Sequence, residues 1–151
     1  MKIQTKGVFK MTNEPITNQE LINAIMAMNA EVNNTNETSF IKELLFAKFL
    51  TPVEVITVDA TNITNPANNT AFAFPFLGNK NNEKFIAVFT DPFALSKWQN
   101  QPNHQVAVLT YKNLAEVITQ HNSDIKGFVI NPFDHNVIIT DDIIKNIQIP
   151  G

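Results

Sequence analysis

The chain has 151 residues, 44% hydrophobic and 17% charged, which supports one domain with one core and excludes a disordered chain. Its net charge is −3 and all eleven basic residues are lysine, so the guanidinium fork that reads phosphate and guanine is missing and a nucleic-acid partner is disfavoured. The absence of cysteine excludes disulfides, zinc–thiolate sites and thiol nucleophiles.

Residues 1–16 read as a loosely held arm, with Met11 as a second candidate start. The arm has no apolar run of secretory length, and no segment of the chain approaches transmembrane length, so a cytoplasmic protein without a membrane partner is expected. Thr17-Asn-Gln-Glu20 has the form of a capping box, followed by Leu21, Ile22, Ala24, Ile25, Met28 and Val32 at helical spacing. After a polar break at 33–37, Ser39 is the expected cap of a second helix, which Pro52 is expected to end. Val53–Val58 reads as the first strand, and Ala71–Phe76 as a second whose Pro75 marks an edge or a bulge. Gly78–Asn82 turns the chain into Phe85–Phe89, apolar on both faces and hence predicted to be an interior strand paired with its predecessor as a hairpin.

Asp91 then caps, and Pro92 opens, a short helix running to Trp98. A strand over Val106–Leu109, a helix over Lys112–His121 and a buried strand over Gly127–Ile130 follow. The turn Asn131–Asn136 leads into Val137–Thr140, and Asp141 or Asp142 caps a closing helical turn. The three strands joined by helical crossovers are expected to be parallel neighbours, and the flanking hairpins antiparallel. The fold class predicted is α+β: a mixed β-sheet of five or six strands, an N-terminal helix pair and crossover helices, in one domain over 17–151.

Two motifs carry a resemblance. Phe89-Thr-Asp91, with Ser96-Lys-Trp98 behind it, precedes Gly127-Phe-Val-Ile-Asn-Pro-Phe133 by some thirty residues. With the apolar strand before the first motif, and the helices leading to Thr51-Pro-Val53, the sequence from about residue 17 onward resembles the N-terminal domain of the SseB (enhanced serine sensitivity) family. That resemblance implies a small bacterial cytoplasmic α+β domain with no established activity and no agreed catalytic residues. Longer members add a second, C-terminal domain.

If the crossover-linked strands are parallel, their C-terminal ends share one rim, the usual place for a ligand in an open α/β sheet. The residues delivered there are Thr90, Asp91, Thr110, Tyr111, Asn131, Pro132 and Phe133. The simpler reading is that Asp91 only caps a helix, worth about 1 kcal/mol, and that Asn131-Pro132 only shapes a turn. Trp98 is either an interface anchor or a core residue. His104, His121 and His135 lack ligand spacing, so no metal is expected. Ser39, Ser96 and Ser123 lie in no nucleophile elbow, and Ser123 with His121 and Asp124 is too close in sequence to form a relay. Asp141 and Asp142 diverge on a helix, and four glycines make no phosphate-cradling loop, so no cofactor is expected. The expected function is a non-enzymatic protein-interaction or regulatory module, binding a protein or a small regulatory ligand through the strand-end rim or the face carrying the 90–98 segment. The alternative is an amino-acid-related metabolite-binding domain, or an enzyme, using Asp91, Tyr111 and Asn131. The oligomeric state is left open.

Overall fold

A computed structural model of the chain describes residues 16–57, 70–78, 81–98, 104–120 and 124–147, without the side chains of 55–57, 70–73 and 104. The N-terminal arm and the Ser123–His121 pair fall outside these residues, apart from the arm's last position.

Helices α1 (Gln19–Ala30) and α2 (Asn34–Phe46) form the expected pair, with Leu21, Ala24 and Ile25 on the buried side of α1. The capping box at Thr17–Glu20 does not form. Asn18 takes the cap position in the left-handed region (φ 48°), and its side chain makes no cap bond. Ser39 does not start α2 either: Asn33 does, its side-chain oxygen accepting from the Asn36 N–H at 2.8 Å. Asn36 Nδ2 in turn donates to the carbonyls of Ala27 (3.2 Å) and Glu31 (2.8 Å), which closes the helical hairpin.

Pro52 does not end α2; the helix stops at Phe46, and strand β1 (Lys48–Thr57) runs through the proline. The reason lies in the alternation of N–H directions along a strand. Leu50 N–H points to Phe89 O (2.8 Å), so the missing N–H of Pro52 would point the same way. The opposite edge, where Pro52 faces Val106 of the neighbouring strand, therefore loses no bond.

The expected strand over 71–76 is split at Phe74-Pro75 into β2 (Thr70–Ala73), antiparallel to β1, and β3 (Phe76–Gly78), antiparallel to β4 (Lys84–Val88). The remaining elements are α3 (Pro92–Leu95), β5 (His104–Thr110), α4 (Tyr111–Ile118), β6 (Ile125–Ile130), β7 (Val137–Thr140) and α5 (Asp141–Asn146). Thr140, not Asp141 or Asp142, caps α5 through the Ile143 N–H at 3.3 Å, and the two acids occupy its first turn.

The strands form two sheets, β2-β1-β5 and a mixed β3-β4-β6-β7, and the chain is α+β as expected. The predicted central segment is interior: β4 has β3 on one side and β6, parallel, on the other. The 106–109 strand is not its neighbour. One margin of β4 is taken by β3 and, at Phe89, by β1, so β5 pairs antiparallel along the outer side of β1 instead. The Leu50–Phe89 bridge joins the two sheets. A single large core lies on the side covered by α1, α2, α4 and α5, with Phe49, Ile86, Val88, Tyr111, Phe128 and Ile130 at its centre. A smaller cluster of Leu50, Ala87, Phe89 and Ala94 lies on the other side, under α3.

Candidate functional site

Three polar residues are fully buried among the described residues, Thr51, Thr90 and Asn131; Thr51 and Asn131 each complete a ladder that the backbone cannot complete, and Thr90 is the partner of Asn131. On the β1–β4 junction the hydrogen-bonded pair Leu50–Phe89 would be followed by Pro52–Ala87. Proline has no N–H, and the Thr51 hydroxyl donates to Ala87 O instead, at 2.6 Å. At the other end of the junction Asn18 inserts its carboxamide. Its Nδ2 donates to Lys48 O and to Thr90 O, both at 2.7 Å, and its Oδ1 accepts from Lys48 N (3.4 Å).

Asn131 performs the same service between β4 and β6. Its N–H donates to Val88 O at 2.8 Å, the regular step of a parallel ladder. The next step would be Thr90 N–H to Asn131 O. But Asn131 is left-handed (φ 50°), and its carbonyl is turned to accept from Asp134 N and Asn136 N. Its own side-chain Oδ1 takes the vacated place and accepts from Thr90 N at 3.0 Å. Nδ2 then donates to Thr90 Oγ1 (2.9 Å) and lies 3.0 Å from His135 Nδ1. The Thr90 hydroxyl donates onward to Asp91 Oδ2 at 2.7 Å, while Asp91 Oδ1 caps α3 through the Ala94 N–H at 2.8 Å.

Of the predicted rim residues, the fold thus brings together Thr90, Asp91 and Asn131, and adds Asn18 and His135. Pro132 and Phe133 follow directly, with the Phe133 ring stacked on Phe89 at 6.4 Å and half of the residue exposed. Thr110 and Tyr111 do not join this cluster. Thr110 caps α4 in a reciprocal box with Asn113 (3.2 and 3.0 Å). Tyr111 turns inward, fully buried and edge-on to Phe128 at 6.2 Å. Its hydroxyl has no hydrogen-bond partner among the described residues, and burial pushes its pKa up.

Trp98 is half-buried. It packs edge-on against Phe89 and tilted against Phe133, each at 6.2 Å, with its indole N–H enclosed and unpartnered among the described residues. Above it, on the face of the 90–98 segment, stand residues that the sequence reading did not name. Phe93 is 73% exposed, Lys97 Nζ stands 4.8 Å from the centre of its ring, and Lys97 pairs with Asp134 across from α3 to the 131–136 turn. The motif Phe-Thr-Asp-Pro-Phe93 carries the only sequence hint: a large apolar residue at the second position of a capped helix, ahead of the residues that pack inward.

Among the described residues, no three His, Asp or Glu side chains converge as metal ligands, and no helix is long and apolar enough to cross a membrane. A hollow of about 350 Å³ beside Asn18, at the start of α1, is flanked by Glu20, Glu43 and the exposed Phe46.

An α+β domain whose strand ends are locked by asparagine and threonine side chains, beneath an exposed aromatic margin, is the class of protein that these features define. Residues 21–146 match the SseB protein N-terminal domain, and the chain belongs to that family. No curated protein and no solved structure was found to match it.

Proposed function

We propose that this domain is a non-enzymatic protein-interaction module whose contact surface is the margin formed by α3, Trp98 and the 131–136 turn. The carrying observation is that the polar rim is already satisfied while the apolar rim is not. Thr90, Asp91 and Asn131 spend their donors and acceptors on one another and on the backbone. Phe93 and Phe133 stand exposed on either side of the Lys97–Asp134 pair, held by short capped elements. Aromatic anchors ringed by paired charges on a rigid base are what protein interfaces concentrate their binding energy on. A metabolite or catalytic site would instead call for unspent polar groups, and of its three nominated residues Tyr111 is enclosed in the core.

The test is affinity capture with the wild-type chain, a Phe93→Ser/Phe133→Ser double variant and a Phe46→Ser control, Phe46 being 72% exposed elsewhere. A partner retained by wild type and control and lost from the double variant supports the module. Equal capture by all three removes it. A thermal-shift screen of amino acids and nucleotides tests the alternative, since a ligand at a hundred times its dissociation constant stabilises by about 2.7 kcal/mol.

A further inference from the structure

The outer edge of β5 is the longest unpaired strand edge among the described residues: His104–Thr110 bonds to β1 on one side and to no described strand on the other. Which of its groups face outward follows from three bonds elsewhere. Leu50 N–H and O go to Phe89, and Lys48 N–H goes to Asn18, so the even-numbered residues of this part of β1 point away from β5 and the odd ones toward it. The register Phe49–Leu109, Thr51–Ala107, Val53–Gln105 then assigns the inward bonds to 105, 107 and 109. The N–H and C=O groups of Val106 and Val108 face outward. Thr110 agrees with this parity, because its N–H is free of the ladder and is taken by Asn113.

Proteins normally blunt such an edge with lysine, proline or a bulge. From Gln105 to Thr110 there is no charge and no proline, and three of the six residues are Val or Leu.

We propose that a second copy of this chain occupies this edge, with β5 pairing antiparallel to its symmetry mate about a two-fold axis at Ala107. That centre is the middle of the strand, so it gives full overlap. It sets Val106 opposite Val108 of the mate, and the reverse, as hydrogen-bonded pairs made from the outward-facing groups, and brings the half-buried valines of the two copies together. Charge favours the same register. Glu54 lies opposite His104 and Lys48 opposite Thr110, all four on one row direction of the sheet. The two-fold therefore places Glu54 of one copy on the same row as Lys48 of the other, about 14 Å apart between backbones at three strand spacings. That is too far for a direct ion pair between side chains that rise from the sheet, so it contributes a longer-range attraction of opposite charges, and the arrangement occurs twice. Both residues are exposed, and neither has an ionic partner among the described residues. Val106 and Val108 pack against the same small cluster as Trp98, so this edge adjoins the aromatic margin, but its test alters neither Phe93 nor Phe133 and the two readings are tested separately.

Light scattering on the purified chain is expected to give a molar mass moving toward twice the 17.0 kDa of one chain as concentration rises. Val106→Pro removes one outward N–H and no bond to β1, and should return the mass to that of one chain with an unchanged circular dichroism spectrum. Amide exchange on the unaltered protein covers the case in which that variant does not fold. The Val106 and Val108 amides should become slower to exchange as concentration rises, while those of Ala107 and Leu109 are slow throughout. A wild-type mass of one chain at every concentration, or Val106 and Val108 exchange that does not depend on concentration, would overturn the proposal.

Discussion

Asparagine does two jobs in this chain, and the same residues often do both. All four non-glycine residues with positive φ among the described residues are Asn: 18, 82, 131 and 136. The side chain tolerates the left-handed region, and its carboxamide can copy the hydrogen-bonding pattern of a peptide group. At 131 both properties are needed at once. The left-handed turn carries the backbone carbonyl out of the ladder, and the side-chain carbonyl replaces it. Replacing Asn131 with Gly keeps the turn and loses the substitute, which should cost about 1–3 kcal/mol through the stranded Thr90 N–H. Replacing it with Ala loses both, for about 2–4 kcal/mol. Urea unfolding of the two variants separates the contributions, and equal losses would mean that backbone geometry contributes nothing. None of this was legible residue by residue, because a chain so rich in Asn gives no signal that 18 and 131 differ from the rest. Asp91 was legible, since a cap followed by proline is a local pattern with a local cause.

At the scale of elements, the decisive feature is the meeting of β1 and β4. They share one hydrogen-bonded pair, Leu50–Phe89, and then separate, with Asn18 filling one end of the gap and Thr51 the other. Pro52 is the reason the pairing cannot continue past Leu50, and β3 pairs with the part of β4 that is thereby left open. Thr51→Val removes the one side-chain donor among the described residues that reaches the buried Ala87 carbonyl and should destabilise by about 1–3 kcal/mol, whereas Thr51→Ser should retain most of the stability. Chemical denaturation of the pair checks this, and a neutral Thr51→Val would mean that water or backbone satisfies Ala87. Helix existence, the interior place of β4 and its antiparallel pairing with the strand before it were readable from local pattern. The position of Pro52 inside a strand was not, because whether a proline breaks a strand depends on which neighbour its missing N–H would have faced. That is tertiary information, and the same ignorance sent the 106–109 strand to the wrong neighbour.

Across the whole molecule the two sheets share one core, and Tyr111 sits inside it. Phe49 and Leu109 reach it from one sheet, and Val88, Phe128 and Ile130 from the other. The expectation that Tyr111 would stand on the rim failed because the residue after a strand end also begins α4, and a helix at that point must turn its first apolar position inward. Its buried hydroxyl makes the whole fold sensitive to alkali. Burial raises the folded pKa above the ordinary value of 10.0, so the neutral form is favoured in the fold and the tyrosinate in the unfolded chain. The stabilising difference is complete below pH 10 and is lost as pH rises from there toward the folded pKa, at up to about 1.4 kcal/mol per pH unit. As the chain has a single tyrosine, its ultraviolet titration reads this one group. Tyrosinate absorbance should stay low past pH 10 and then rise together with the loss of circular dichroism. A Tyr111→Phe variant should lose that alkaline step and be no less stable at neutral pH, because it removes a buried hydroxyl that no described residue satisfies. Free titration near pH 10 with the fold intact would mean that the hydroxyl reaches water.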